Sequence, residues 1–261
     1  MRDPQLPDLT GQVALVTGAS GGIGGGIARQ FAKAGASVVV HYHRAKSQAE
    51  ALAEEIEEIA GAGGRALTLH ADLTDEADCE RLVEEAAAWQ DGRLDALVNN
   101  AGIQPVTPLA QLTAADWRAL YDADTTSAFC CTQAAARVMR ARGGGTITHI
   151  ASIEGTQPAP GHAHYSAAKA ALIMFARSAA LEYGADGIRV NTVSPGLIDR
   201  PGLSDAWPEG VRRWTAAAPL GRLGRPEDIG SACVFLASAA AAWITGTDLV
   251  VDGGVGAHPT W

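Results

Sequence analysis

Tyr165 and Lys169 stand four residues apart at the head of a helix-like stretch that continues through Leu172, Phe175 and Ala176. That spacing puts both side chains on one helical face. A phenol ionises near pH 10, so a lone tyrosine carries protons poorly at neutral pH. A neighbouring ammonium favours the phenolate, and lowering the pKa by about three units takes ~4 kcal/mol of differential interaction. Ser152 lies thirteen residues before Tyr165, at the end of the apolar run Thr146–Ala151. A hydroxyl there can hold a substrate oxygen while the tyrosine exchanges its proton. By itself a Tyr-x-x-x-Lys spacing is common, and it acquires meaning only with a positioned partner and a reactant.

The reactant is suggested near the N-terminus. Val13–Thr17 runs into Gly18-Ala19-Ser20-Gly21-Gly22-Ile23-Gly24, followed by a helix-like stretch with Ile27, Ala28 and Phe31 on one side. The spacing departs from G-x-G-x-x-G, because the residue three after Gly24 is Ile27. The physics is shared: glycines let backbone approach a pyrophosphate, and a helix N-terminus aims N–H groups and partial positive charge at it. The turn reads as a dinucleotide site, with a bare tight turn as the alternative. Gly25 and Gly26 weaken a helix by about 0.8–1 kcal/mol each, which only close packing or close ligand approach explains. The second strand ends at His41-Tyr42-His43-Arg44, with no acid before Glu50. An acid at this place would bind a ribose 2′-hydroxyl, whereas a cation suits a 2′-phosphate. Arg44, helped by Ser20, therefore points to NADP(H), with NAD(H) remaining possible.

Residues around the Tyr165 loop are candidates for substrate contact. His162 and His164 precede the tyrosine and Glu154 sits two residues past Ser152. For each, packing or an exposed surface position is the plainer alternative. Between Pro195 and Pro226 the chain is punctuated by Pro and Gly and carries Trp207 and Trp214. A long insertion after a strand end is where a substrate lid sits, here about residues 196–216, unless it is a plain surface excursion.

The elements that must position these groups alternate along the chain. Short apolar runs at Val13–Thr17, Ser37–Tyr42, Ala66–Ala71, Ala96–Asn99, Thr146–Ala151, Arg189–Val193 and Leu249–Val251 read as strands covered on both faces. Helical patterns lie between them, for instance Ser47–Ala60, Asp75–Trp89 and Thr113–Arg140. The alternation predicts one doubly wound α/β domain of seven parallel strands spanning residues 1–261, with ligands beyond the carboxyl ends of the strands.

Composition narrows the partners. The chain of 261 residues is 47% hydrophobic and 19% charged, which excludes a disordered chain. Its net charge of −9 and lack of a Lys/Arg cluster argue against nucleic acid. No apolar run reaches the ~18 residues of a membrane span. The stretch from Met1 to Gly11 is polar, with two prolines, and lacks the apolar core of a secretory signal. Cys79, Cys130, Cys131 and Cys233 form no CxxC pair and have no His at metal-ligand spacing, so they read as free thiols in a cytoplasmic protein without a metal.

Taken together, the chain resembles the short-chain dehydrogenases/reductases over nearly its whole length. The resemblance rests on Thr17-Gly18-x-x-x-Gly22-x-Gly24, Asp72 after the third strand, Asn99-Asn100-Ala101-Gly102 after the fourth, Ser152 after the fifth, Tyr165-x-x-x-Lys169, and Pro195-Gly196 after the sixth. It implies a Rossmann-type fold, an NAD(P) cofactor, Tyr165 as general acid/base, Ser152 positioning the substrate oxygen, and Lys169 binding the nicotinamide ribose. It further implies that Asp72 with Leu73 meets the adenine, that Ile23, Asn99, Ala101 and Gly102 line the cofactor groove, and that Pro195, Gly196 and Ile198 border the nicotinamide. The pattern is most similar to 3-oxoacyl-[acyl-carrier-protein] reductases, implying a small-molecule or acyl-carrier-bound ketone as substrate. The alternatives are an NAD-dependent dehydrogenase of a sugar or cyclic secondary alcohol, and a non-catalytic cofactor-binding scaffold. The C-terminal stretch Gly246–Gly254 resembles the family's tetramer-forming end and implies a homotetramer, with Ala257–Trp261 either frayed or reaching a neighbour.

Two departures stand out. Where the family has Asn in its long fourth helix, with a backbone carbonyl that holds a water linked to the lysine, this chain has Asp124. The backbone role survives, but a carboxylate near Lys169 would partly cancel its charge and weaken its pull on Tyr165. Asp124→Asn is therefore expected to keep or raise activity. The P-G-x-I-x-T pattern becomes Pro195-Gly196-Leu197-Ile198-Asp199-Arg200, so Arg200 replaces the usual threonine and could face substrate or phosphate.

Overall fold

β-Branched apolar runs cannot bury both faces without helices on both sides, and the chain supplies them. A computed structural model describes residues 6–60 and 65–257. The strands β1 (Val13–Val16), β2 (Ser37–Tyr42), β3 (Ala66–His70), β4 (Ala96–Asn99), β5 (Gly145–Ile150), β6 (Ile188–Pro195) and β7 (Asp248–Val251) form one sheet in the order β3-β2-β1-β4-β5-β6-β7. Every pairing is parallel. Chain order reverses between β1 and β4, and that switch point opens the crevice in which a ligand binds at the strands' carboxyl ends.

Alternate residues of each strand enter opposite cores. Ala14, Val16, Val38 and Val40 pack with Ile27 and Phe31 of α1 (Gly22–Lys33), Leu52 and Ile56 of α2 (Lys46–Ala60), and Ile229 and Val234 of α9 (Pro226–Ala237). Val13, Leu15 and Val39 pack with Leu82 and Val83 of α3 (Glu76–Ala88), Cys131 and Ala135 of α5 (Ser127–Ala141), and Ala176 and Ala179 of α6 (Ala163–Tyr183). Each fully buried Val or Leu stabilises the fold by about 1.5–3 kcal/mol relative to exposure. The helical glycine at position 26 answers to this packing: a Cβ on Gly26 would lie within 2.7 Å of the Pro226 carbonyl oxygen, so α1 and α9 touch backbone to backbone.

One expected element is interrupted. The stretch read as a single helix over Thr113–Arg140 is α4 (Ala114–Tyr121), a π turn at Asp122–Thr126, and then α5. A wider turn inserts one residue per turn and re-aims the side chains on it, which is a recurrent feature of functional sites. Here it carries Asp124 into the interior, where it is 1% exposed. Past β6 the chain forms two short helices, α7 (Leu203–Ala206) and α8 (Pro208–Ala217), over the insertion anticipated around residues 196–216. No helix among the described residues is long and apolar enough to cross a membrane. The closing residues 258–261 lie outside the described residues.

Candidate active site

The turn after β1 is built to present backbone. Gly18 has φ +62°, in the left-handed region that favours glycine. α1 begins at Gly22 without a side-chain cap and without an acid in its first turn. α3, by contrast, is capped by Asp75, which accepts from the N–H groups of Ala77 and Asp78. The first N–H groups of α1 are thus left for an external anion. A Cβ on Gly21 or Gly22 would meet nothing within 4 Å, so there is room above the turn. Free donors, positive helix end and open space fit the pyrophosphate of a dinucleotide.

Buried His41 and half-buried Asn100 hold this turn from beneath, a role that sequence reasoning gave to neither. His41, 1% exposed, accepts the Gly18 N–H at Nδ1 (2.9 Å), while its Nε2–H donates to the Ala71 carbonyl (3.2 Å). Burial pushes its pKa down to about 4, so it is neutral, as an acceptor nitrogen requires. Asn100 donates from Nδ2 to the carbonyls of Thr17 (2.9 Å) and Gly18 (3.2 Å). The Thr17 hydroxyl oxygen accepts the N–H groups of Asn100 and Ala101 at 2.9 and 3.0 Å. A polar residue in the otherwise apolar run of β2 was the available signal for His41. Asn99 faces inward: its Nδ2 lies 3.2 Å from Thr132 Oγ1 and 3.1 Å from His149 Nδ1.

Past the end of β2, His43 and Arg44 are exposed, and His43 Nε2 lies 3.6 Å from the Asp72 carboxylate. The Asp72 carboxyl is held below its usual range by the Thr74 hydroxyl and N–H. Leu73 is buried next to it, and Ser20 and Ile23 are half-buried at the turn.

The catalytic candidates converge where β5 ends and α6 begins. Lys169, 5% exposed, donates to the Ile150 carbonyl at 3.1 Å, lies 5.3 Å from the centre of the Tyr165 ring, and approaches Asp124 Oδ2 to 3.0 Å. Asp124 Oδ1 accepts the Ile103 N–H at 2.8 Å. Oδ2 sits off the hydrogen-bond direction of the ammonium, so charge holds it there. A Cβ on Gly102 would come within 2.8 Å of that oxygen, so the carboxylate has its place only because residue 102 is glycine. Ser152 accepts the Glu154 N–H at 3.1 Å and is within hydrogen-bonding reach of the Tyr165 phenol.

The expectation of an acidified phenol is corrected here. The Tyr165 pKa is raised, chiefly by burial; Lys169 and Ser152 pull it down, while Asp124 and Glu154 push it up. Desolvation of a buried phenolate outweighs an ammonium whose charge is already met by a carboxylate. His149, buried behind Lys169, is driven down to about 3 by burial and then by that ammonium, and is neutral.

Glu154 and His162 form a pair beside the tyrosine: His162 Nδ1 lies 2.8 Å from Glu154 Oε2, and the His162 ring meets the Tyr165 ring edge-on at 6.1 Å. Gln104 Nε2 donates to Glu154 at 3.2 Å. His164, the other expected substrate contact, is fully buried with neither ring nitrogen hydrogen-bonded, and offers a ligand no surface. Trp214 packs on Gly196 just past β6, whereas Trp207, between α7 and α8, lies over Gly210 of α8 and is half exposed. Pro195 and Ile198 are buried beneath this segment, and Arg200 lines a separate cleft with Asp205, Arg225 and Glu227.

Comparison with known proteins agrees with this geometry. Residues 18–256 match the family model described as enoyl-(acyl carrier protein) reductase. The chain is 44% identical over 245 residues to cis-4-hydroxycyclohexanecarboxylate dehydrogenase of Sinomonas cyclohexanicum, covering 93% of this chain and 96% of that one. It is 39% identical over 248 residues to 3-oxoacyl-[acyl-carrier-protein] reductase of a Synechocystis strain, covering 95% and 98%. Among solved structures, 7α-hydroxysteroid dehydrogenase complexed with NADH and 7-oxo glycochenodeoxycholic acid superposes with a TM-score of 0.89 at 36% identity, covering 97% and 98%.

Proposed function

Because the chain belongs to the short-chain dehydrogenase/reductase family and is an NAD(P)-dependent oxidoreductase, we propose that it reduces a ketone to a secondary alcohol with NADP(H), and that Ser152, Tyr165, Lys169 and Asp124 carry the proton side of the reaction. The observation that supports this most is the meeting of Ser152, the Tyr165 phenol and the buried Lys169 ammonium at the carboxyl end of β5. When bound, the nicotinamide supplies the hydride at its C4. The Ser152 hydroxyl holds the carbonyl oxygen, and Tyr165 gives that oxygen its proton. Lys169 stabilises the phenolate left behind and reaches the ribose. Gly18, Ser20, Gly22, Ile23 and Gly24 cradle the pyrophosphate, Asp72 and Leu73 take the adenine, and Ala101, Gly102, Pro195, Gly196 and Ile198 line the rest of the groove.

Arg44, exposed at the end of β2 with no acid after the strand until Glu50, favours a 2′-phosphate and hence NADP(H). The first substrate to try is a 3-oxoacyl thioester. A cyclic secondary alcohol is the second reading, favoured by the 44% identity to the hydroxycyclohexanecarboxylate enzyme. Glu154 with His162 forms the polar side of the substrate mouth, and Trp214 with the 196–216 segment forms its lid. Exposed Phe129 on α5 and Met174 and Leu181 on α6 are apolar surface suited to burial in a homotetramer. The free thiols suit a cytoplasmic setting.

Initial rates of reduced-nicotinamide oxidation decide the reading. NADPH turnover is expected with a 3-oxoacyl thioester or 4-oxocyclohexanecarboxylate, well above NADH turnover. A strong NADH preference overturns the Arg44 assignment. Absence of turnover with either ketone and either cofactor overturns the substrate classes.

A further inference from the structure

Lys169 and Asp124 form a buried ion pair beside the Tyr165 ring. Both partners are almost completely withdrawn from solvent, and the carboxylate lies 3.0 Å from the ammonium that faces Tyr165. Coulomb attraction between an ammonium and a developing phenolate is strong in such a site, and a carboxylate on the far side of the ammonium cancels much of it. The groups around the phenol come from three elements. Lys169 and His162 belong to α6 and its entry, Ser152 and Glu154 follow β5, and Asp124 rides the π turn. Neutral His149 of β5 adds no charge behind the lysine. Lys169 is thus the ammonium that faces the phenol, and the Asp124 carboxylate lies against it.

We propose that Asp124 is a positioning residue that offsets the Lys169 charge and so strengthens the hold of the Tyr165 phenol on its proton, favouring carbonyl reduction at neutral pH and shifting alcohol oxidation towards alkaline solution. The inference rests on Tyr165 being the proton-transferring group. In reduction the C=O π bond breaks, hydride forms the new C–H bond, and the phenol O–H supplies the proton of the new alcohol, leaving phenolate. Oxidation runs the same bonds backwards and therefore starts from phenolate. A group that disfavours phenolate extends the reductive form to higher pH and starves the oxidative form at low pH. Burial raises the Tyr165 pKa most, Lys169 and Ser152 pull it down, and Asp124 and Glu154 push it up, in keeping with this arrangement.

The test is a tyrosinate absorbance titration of the whole protein, taking the difference between wild type and Tyr165→Phe to isolate one phenol. In wild type that phenol stays protonated beyond its ordinary ionisation range, and Asp124→Asn moves its midpoint down by about one pH unit or more, equivalent to tenfold per unit. With 4-hydroxycyclohexanecarboxylate as alcohol probe and NADP⁺, kcat/KM for oxidation at pH 7 rises by about tenfold in Asp124→Asn, following the phenolate fraction. Glu154→Gln, which is partly exposed, moves the midpoint less. An unchanged midpoint in Asp124→Asn overturns the proposal. So does a wild-type Tyr165 that ionises below its ordinary value, a readout that holds even if Asp124→Asn fails to fold. A shifted midpoint without turnover of any alcohol sinks the assigned reaction and leaves the electrostatic role intact.

Discussion

Two supports lie beneath the same groove and use opposite electrostatics. Under the glycine turn, neutral His41 and Asn100 hold backbone through hydrogen bonds alone. Under the tyrosine, Lys169 and Asp124 face each other as a buried ion pair. The turn has only to hold a shape, so neutral bonds that leave its amide groups free for phosphate suffice. The catalytic corner has to set the affinity of a phenol for a proton, and that takes charge. The two also respond to opposite ends of the pH scale. His41 has its pKa lowered to about 4, and Tyr165 has its pKa raised.

The comparison can be broken most severely at the phenol. Tyr165→Phe should lower kcat by about 10²–10⁴-fold, the usual worth of a positioned acid/base, while leaving cofactor binding intact by fluorescence titration. Equal turnover before and after would remove the phenol from the reaction.

Breaking the ion pair comes next. Lys169→Met leaves the Asp124 carboxylate buried without its cation and should lower stability by roughly 3–5 kcal/mol in a urea titration, besides abolishing turnover. Little change in stability would mean that solvent reaches Asp124 in this variant.

Acid attacks the other support. A folded His41 at about 4, against 6.5 for an unperturbed histidine, contributes stability that is fully present above pH 6.5 and lost as pH falls towards 4. The loss should reach about 3 kcal/mol from this residue, and His149, at about 3, adds to it in the same direction. His41→Leu should remove the His41 share of that acid sensitivity. It should also weaken the fold by about 1–3 kcal/mol through the unpaired Gly18 N–H and Ala71 carbonyl. Steady-state kinetics should show a higher KM for cofactor with kcat little changed. A fall in kcat alone would contradict a role confined to the turn.

The mildest change sharpens the contrast between helix starts. Asp75→Ala removes the cap of α3 and should cost about 1 kcal/mol by thermal unfolding, without touching cofactor affinity. Gly21→Asp on α1 would supply a cap and an acid where the anion belongs, so it should raise the cofactor KM instead.

Much of this was open to reading along the chain. The strand runs, the uncapped glycine turn and the Tyr165–Lys169 spacing are local patterns, and the doubly wound parallel sheet of seven strands follows from strand–helix alternation, while the order of its strands does not. The readings that went astray shared one cause. Thr113–Arg140 has an unbroken helical pattern, because a π turn differs from an α turn by one residue of winding and leaves no composition signal. Tyr165 was expected to be acidic because Lys169 is visible four residues away; the resemblance already put the Asp124 carboxylate near that lysine, whereas the burial of the phenol leaves no mark along the chain. His164 looked poised for substrate beside Tyr165, yet adjacent residues on a helix point about 100° apart, and its side chain is fully enclosed.

The chain by itself determined which backbone would bend, where helices would start, and which hydroxyl and ammonium would share a face. These depend on interactions within a turn or two. Tertiary structure alone decided that His41 would meet Gly18, and how far the phenol would be withdrawn from water. Dielectric environment and charge balance are sums over everything packed nearby, and packing brings together residues whose distance along the chain says nothing about their distance in space.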